Sequence, residues 1–136
     1  MNKIIPLILI VILFQSCSIF NFNPCKKFIS DNDFFRANAV AESSNIQLSQ
    51  EKTLLIAKKA ILKEIDDYIL EKYNYQTFLV DSDYEKKITI VRKTILNNVN
   101  IVCNKSKVHK EKYKFYIAIE ISKTDIDKMI TEIMKK

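Results

Sequence analysis

The sequence predicts an α+β fold, a three-stranded, largely antiparallel sheet with helices packed on one face in the order β-α-α-β-β-α, and three observations lead there. Apolar residues alternate at period two over 34–42, 99–103 and 113–121. They recur at helical spacing over about 45–73, 83–97 and 122–136. Residues 17–136 number 120, enough for one core and too few for two. The chain divides into residues 1–16, a tether over 17–32, and a single domain over 33–136.

The first seventeen residues carry the clearest signal. Lys3 gives a basic start, Ile4 to Phe14 form a run of eleven apolar residues around Pro6, and Phe14-Gln15-Ser16-Cys17 closes the segment. This is the layout of a secretory signal peptide that ends before a lipid-accepting cysteine. The run falls short of the roughly 20 residues a membrane-spanning helix needs. Removal of residues 1–16 would free Cys17 for thiol alkylation and amine acylation at the membrane surface. Two or more chains, at about 0.8 kcal/mol per buried methylene, anchor a protein stably. Phe14 and Ser16 stand where such motifs usually carry Leu and Ala or Gly, and Gln15 is unusual there. The alternative is an ordinary signal peptide with an incidental cysteine.

Residues 18–32 show no sustained period, hence the tether. In the segment that follows, Ala37, Ala39 and Ala41 alternate with Arg36, Asn38 and Glu42, a strand whose small-residue face admits a helix at close range. Ser44-Asn45-Ile46-Gln47 has capping-box spacing, with the Ser44 hydroxyl and Gln47 amide placed to satisfy free backbone donors. A long helix follows, its stripe marked by Leu54, Ala57, Ile61, Ile65, Tyr68 and Lys72 and flanked by Leu55, Leu62 and Ile69. Residues 75–80 are a linker or the unwound end of a kinked helix. A second capping box, Ser82-Asp83-Tyr84-Glu85, precedes Tyr84, Ile88, Val91 and Ile95 at helical spacing.

After Asn97-Asn98 the period falls to two, with Val99, Ile101 and Cys103 on one side. Tyr113, Phe115, Ile117, Ile119 and Ile121 repeat the pattern, with Lys114, Tyr116 and Glu120 opposite. The lysine-rich stretch 105–112 reads as the hairpin turn joining them. Ser122 to Asp125 opens a last helix with Ile126, Met129, Ile130 and Ile133 inward and Lys135-Lys136 at its negative end.

Composition excludes several chemistries. The chain has no glycine, so phosphate-cradling loops, dinucleotide fingerprints and nucleophile elbows have no means to turn, and left-handed positions fall to Asn, Asp or Lys. His109, the one histidine, lies in the charged turn, so neither a histidine triad nor a histidine-rich metal site can be assembled. Asp66, Asp67, Asp81 and Asp83 read as solvated or capping carboxylates; no catalytic residue, cofactor or metal is expected. Without residues 1–16 the chain keeps 21 basic against 16 acidic residues, about +5, spread over its surface.

Two groups of residues beside Cys17 are candidates for something more than packing. Cys25 and Cys103 remain once Cys17 is lipidated, and they either bridge or stand as an exposed and a buried thiol. Arg36, Glu42 and Arg92 project from polar faces and are candidates for an ion pair or a surface contact, against the plain reading of solvated charge.

Phe35-Arg36-Ala37, Glu42-Ser43-Ser44-Asn45, the long Ala- and Leu-bearing helix and the stretch Lys112 to Glu120 together resemble the LPP-twenty lipoprotein family of small bacterial envelope proteins. The resemblance covers about residues 34–122. Two departures stand out: Asn38 and alanines replace glycines of the first strand, and the segment between the helices is short. The resemblance implies an envelope-anchored α+β domain with helices laid on a sheet, and it brings no enzymatic residues.

The expected function is therefore that of a non-enzymatic bacterial envelope lipoprotein, held to membrane lipid through acylated Cys17 and presenting its domain to an envelope protein or cell-wall polymer. The alternative is a small-ligand or lipid-binding module that uses the cleft between sheet and helices. Nucleic acid is not an expected partner; a homodimer through exposed strand edges is. Ser18, and the lack of acidic residues at 19–21, point to the outer membrane with the domain facing the periplasm.

Overall fold

The computed structural model describes residues 22–73 and 82–135. The elements are β1 (Phe34–Ser43), α1 (Ile46–Tyr73), α2 (Ser82–Asn97), β2 (Asn100–His109), β3 (Lys112–Ser122) and α3 (Lys123–Met134). The sheet has the order β1-β3-β2, with both pairs antiparallel. Class and element order are those the sequence predicts. Residues 1–16, Cys17 and the segment 75–80 lie outside the described residues.

One apolar core lies between the sheet and all three helices. Phe35, Ala37 and Ala39 of β1 and Ile117, Ile119 and Ile121 of β3 face Ala57, Ile61, Ile65 and Ile69 of α1, with Val91, Ile95, Ile126 and Ile130 closing the far side. The alanines let α1 lie close on β1. At its N-terminal end α1 buries polar residues: Ser49 Oγ sits 3.0 Å from the Ala41 carbonyl and 2.8 Å from that of Tyr113, and Thr53 Oγ1 donates to the Ser49 carbonyl at 2.6 Å. Buried hydroxyls with such partners avoid the cost of an unmade hydrogen bond.

The stripe of α1 differs from its prediction. The buried positions run Ser49, Thr53, Ala57, Ile61, Ile65 and Ile69, every fourth residue, and Leu55 on the opposite side is exposed. A four-residue step drifts about 40° per turn around a helix of 3.6 residues per turn. The cap also sits one residue later than the capping-box reading: Asn45 Oδ1 accepts from Gln47 N at 2.8 Å and Leu48 N at 3.1 Å. Ser122 caps α3 as expected, accepting from Asp125 N.

The turn of the hairpin is shorter than the lysine-rich stretch suggested. β2 runs to His109, β3 starts at Lys112, and only Lys110 and Glu111 turn the chain, at φ 47° and 62°. Positive φ at both central residues defines the mirror-image two-residue turn whose twist suits a hairpin. Glycine ordinarily fills such positions, and here two side-chain-bearing residues do.

Candidate functional site

The face of the sheet turned away from the helices is the distinctive surface of this molecule, because the described part of the expected tether folds back onto it. From Phe22 onward the segment is no free spacer. Asn23-Pro24-Cys25-Lys26 makes a turn, with Lys26 N donating to the Asn23 carbonyl at 3.1 Å and Cys25 N to Asn23 Oδ1 at 2.9 Å. Proline at the second turn position presets the backbone angle needed. Cys25 is then fully buried against Tyr116 and Ala118, with Phe28 and Val102 packed around them.

A disulfide joins Cys25 to Cys103 across 78 positions of sequence, with a Cα–Cα distance of 5.7 Å. The bond requires a register break that the alternation of Val99, Ile101 and Cys103 concealed. Ile101 pairs with Ile119, but Cys103 pairs with Ala118, so Val102 is an extra residue in β2. Such a bulge turns every later side chain to the other face. Cys103 therefore points away from the helices, toward the segment that carries Cys25.

Residues 22–33, a strap across this face of the sheet, are fastened at a second point by Arg36. Its Nε donates to Glu120 Oε2 at 2.7 Å, and its Nη1 donates to the Ile29 carbonyl at 3.1 Å and to the Asp31 carboxylate. That hydrogen bond, aided by the backbone N–H groups of Asp33 and Phe34, holds the Asp31 carboxyl down at about 2, below its ordinary 3.8. Ser30 Oγ accepts from Arg36 N at 2.8 Å and lies 2.6 Å from Glu64 Oε2, so one hydroxyl links the outer edge of β1 to α1. Asn38 Nδ2 donates to the Phe28 carbonyl at 3.2 Å, giving that side chain work in a strand position where glycine would offer none.

Arg36, Glu42 and Arg92 do not come together. Arg36 is committed to Asp31 and Glu120, Glu42 lies 3.9 Å from Lys112, and Arg92 pairs with Asp66 at 2.9 Å between α2 and α1. The reason is topological: Arg36 and Glu42 are six residues apart on one strand, about 20 Å, and α2 lies across the sheet from that face. Each charge forms a separate link. Among the carboxylates, Asp83 pairs with Lys87 at 3.4 Å, and Asp81 lies outside the described residues. His109 is exposed at the end of β2.

A polar cluster that sequence reading missed ties α1 to α3. Asp127 accepts from Tyr68 Oη at 3.0 Å, Lys72 Nζ at 2.5 Å and Tyr73 Oη at 3.2 Å. The bond to Asp127, with help from Tyr68, raises the Lys72 pKa, while burial and then the charge of Asp127 raise that of Tyr73. Both groups thus stay protonated near neutral pH and supply no base. The cluster is a clamp. Among the described residues no three His, Cys, Asp or Glu side chains gather as a metal site, and no helix is long and apolar enough to cross a membrane.

An open pocket of about 440 Å³ lies at the end of the sheet away from the hairpin. Phe34, Ile121 and Met129 form apolar parts of its wall, and Asn98, Asn100, Asp125, Lys128 and Glu132 contribute polar groups. Its walls come from the ends of the three strands and from α3.

Compared with known proteins, the chain matches no protein-family model and no curated protein sequence.

Proposed function

We propose that this chain is a non-enzymatic lipoprotein of a bacterial envelope, anchored to a bilayer by acylated Cys17 and presenting its α+β domain to another envelope protein or to cell-wall polymer. The placement at the outer membrane, facing the periplasm, belongs to the same proposal, as does the likeness to the LPP-twenty lipoprotein family. The observation that carries it is the Cys25–Cys103 disulfide. Disulfides persist in exported proteins and are rare where the cytosol keeps thiols reduced. This supports export on grounds independent of the apolar run that precedes Cys17.

The surface fits presentation better than catalysis. The titratable clusters at Arg36 and Asp127 are engaged in holding elements together, and the strap adds a rigid covering where a free spacer was expected. A homodimer through the exposed outer edge of β2 has Lys105 and Lys107 against it, since lysines on an edge discourage pairing.

A second reading, a module for a small ligand, is favoured by the pocket at Phe34 and Met129. Its volume falls within the roughly 300–1,000 Å³ of ordinary ligand sites. Its polar wall suits a small polar molecule better than an acyl chain.

Metabolic labelling with palmitate tests the main reading. Label should enter the wild-type chain and be absent from Cys17→Ser. Equal labelling of both, or none in the wild type, would contradict it.

A further inference from the structure

We infer that the strapped face of the sheet, at its hairpin end, rests on the anionic phosphate headgroups of the bilayer that holds the chain. This rests on the anchoring proposed above and names the surface that meets the membrane. Register places Lys105, Lys107, Lys112 and Lys114 on that face: Lys105 stands opposite Tyr116, which is buried beneath the strap, and Lys107 stands opposite Lys114. Lys26 and Lys27 add exposed positive charge from the strap itself. Glu42 is set among them, opposite Lys114 and 3.9 Å from Lys112, and Glu111 in the turn is offset by Lys110. The excess on this face is positive.

Like charges directly opposite on neighbouring strands weaken the pair, and Lys107 faces Lys114. Glu42, opposite Lys114 on its other side, offsets part of that cost, and an anionic surface over the face would offset more.

The place where the chain enters the fold decides which anion this is. The ring of Phe22, the first described residue, lies 5.8 Å from Lys107 Nζ and is 65 % exposed. Cys17 lies five residues earlier, a reach of at most about 18 Å. An anchor on so short a leash lets the hairpin end approach to within a Debye length of the headgroups, about 8 Å at physiological salt, where the attraction is not screened out. Basic residues beside an anchor gain from anionic lipid, and an exposed aromatic ring at the same spot suits the interface. The pocket, at the opposite end of the strands, then faces away from the bilayer.

The test uses residues 17–136 without acylation, which contain every described element, with the disulfide checked on a non-reducing gel. The chain is floated with phosphatidylglycerol vesicles and with phosphatidylcholine vesicles at low salt. It should float with the first and stay behind with the second. Lys105→Gln with Lys107→Gln, and Lys26→Gln with Lys27→Gln, should each weaken binding by roughly fivefold per lysine removed. Lys52→Gln with Lys59→Gln, on exposed positions of α1, should leave it unchanged. Absence of binding, equal binding to both vesicles, or equal loss in the α1 variant would overturn the inference. So would tighter retention on duplex DNA or peptidoglycan than on phosphatidylglycerol. Because this chain carries no acyl group, failure here is separate from failure of anchoring at Cys17, which palmitate labelling reads.

Discussion

Arg36 and Glu120 stand directly opposite each other on β1 and β3, and Arg36 Nε donates to Glu120 Oε2 at 2.7 Å on the face away from the helices. Both side chains are about four-fifths covered, at 19 % and 20 % exposure. The same guanidinium holds Asp31 and the Ile29 carbonyl, so it fastens one end of the strap while the disulfide fastens the other. Truncating one member of a covered ion pair leaves its partner's charge uncompensated.

The Asp31 carboxylate reports on this fastening. Its pKa of about 2 lies below the ordinary 3.8, so its ion pair stabilises the fold fully above about pH 4 and the contribution is lost as pH falls toward 2. A carboxyl-detected NMR titration should place the Asp31 midpoint near 2 in the wild type. In Arg36→Gln it should move up toward 3.8, because the first cause of the depression is gone. An unchanged midpoint would show that the hydrogen bond to Arg36 is not what holds it down.

The disulfide closes a loop spanning 78 positions, so its loss should cost roughly 2–5 kcal/mol, mostly through the freedom restored to the unfolded chain. Cys25→Ser with Cys103→Ser should lower the urea midpoint accordingly. Hydrogen exchange should rise first at Lys26 and Phe28, whose amides close the strap turns. Protection there equal to that of the wild type would mean that Arg36 alone secures the segment.

Much of this fold can be read from alternation and caps, and the exceptions have physical causes. Ile126, Met129, Ile130 and Ile133 turn inward as helical spacing demands, and Ile117, Ile119 and Ile121 of β3 join the same core as their alternation predicts. The strap was hidden because residues 22–33 owe their order to single hydrogen bonds and one covalent bond, none of which has a period. A clue was present in β3: Phe115 to Ile119 form an unbroken apolar run, all buried, which is the mark of a strand covered on both faces. The bulge at Val102 likewise leaves no trace in an alternating pattern, and it reversed the facing of Cys103. Arg36 was legible as a residue of interest, but its partner Glu120 lies 84 positions away and Asp31 sat in a presumed tether.

Ile61 lies at the centre of the core, fully buried between α1 and the sheet. Ile61→Ala should destabilise by roughly 2–5 kcal/mol, the transfer loss plus the cavity left behind. Leu55→Ala, on the exposed side of α1, should change stability by less than about 0.5 kcal/mol. Chemical denaturation of the two variants checks both values, and similar losses would mean that the facing of α1 is misassigned.

The hairpin turn offers a stabilising change. Lys110→Asn with Glu111→Gly replaces two residues at positive φ with the pair that suits this turn best. A gain of roughly 0.5–1 kcal/mol is expected, since left-handed backbone costs about 1–2 kcal/mol per side-chain-bearing residue and glycine returns part of that as unfolded-state freedom. Thermal denaturation reads the gain. A loss would indicate that Lys110 or Glu111 makes contacts worth more than the backbone cost.

Intact-mass spectrometry of the mature chain purified from its native envelope bears directly on the anchor. The expected product begins at Cys17 and carries the added mass of a diacylglyceryl group and an amide-linked acyl chain. A chain that retains residues 1–16, or an unmodified amino terminus at or beyond Cys17, would contradict lipid anchoring.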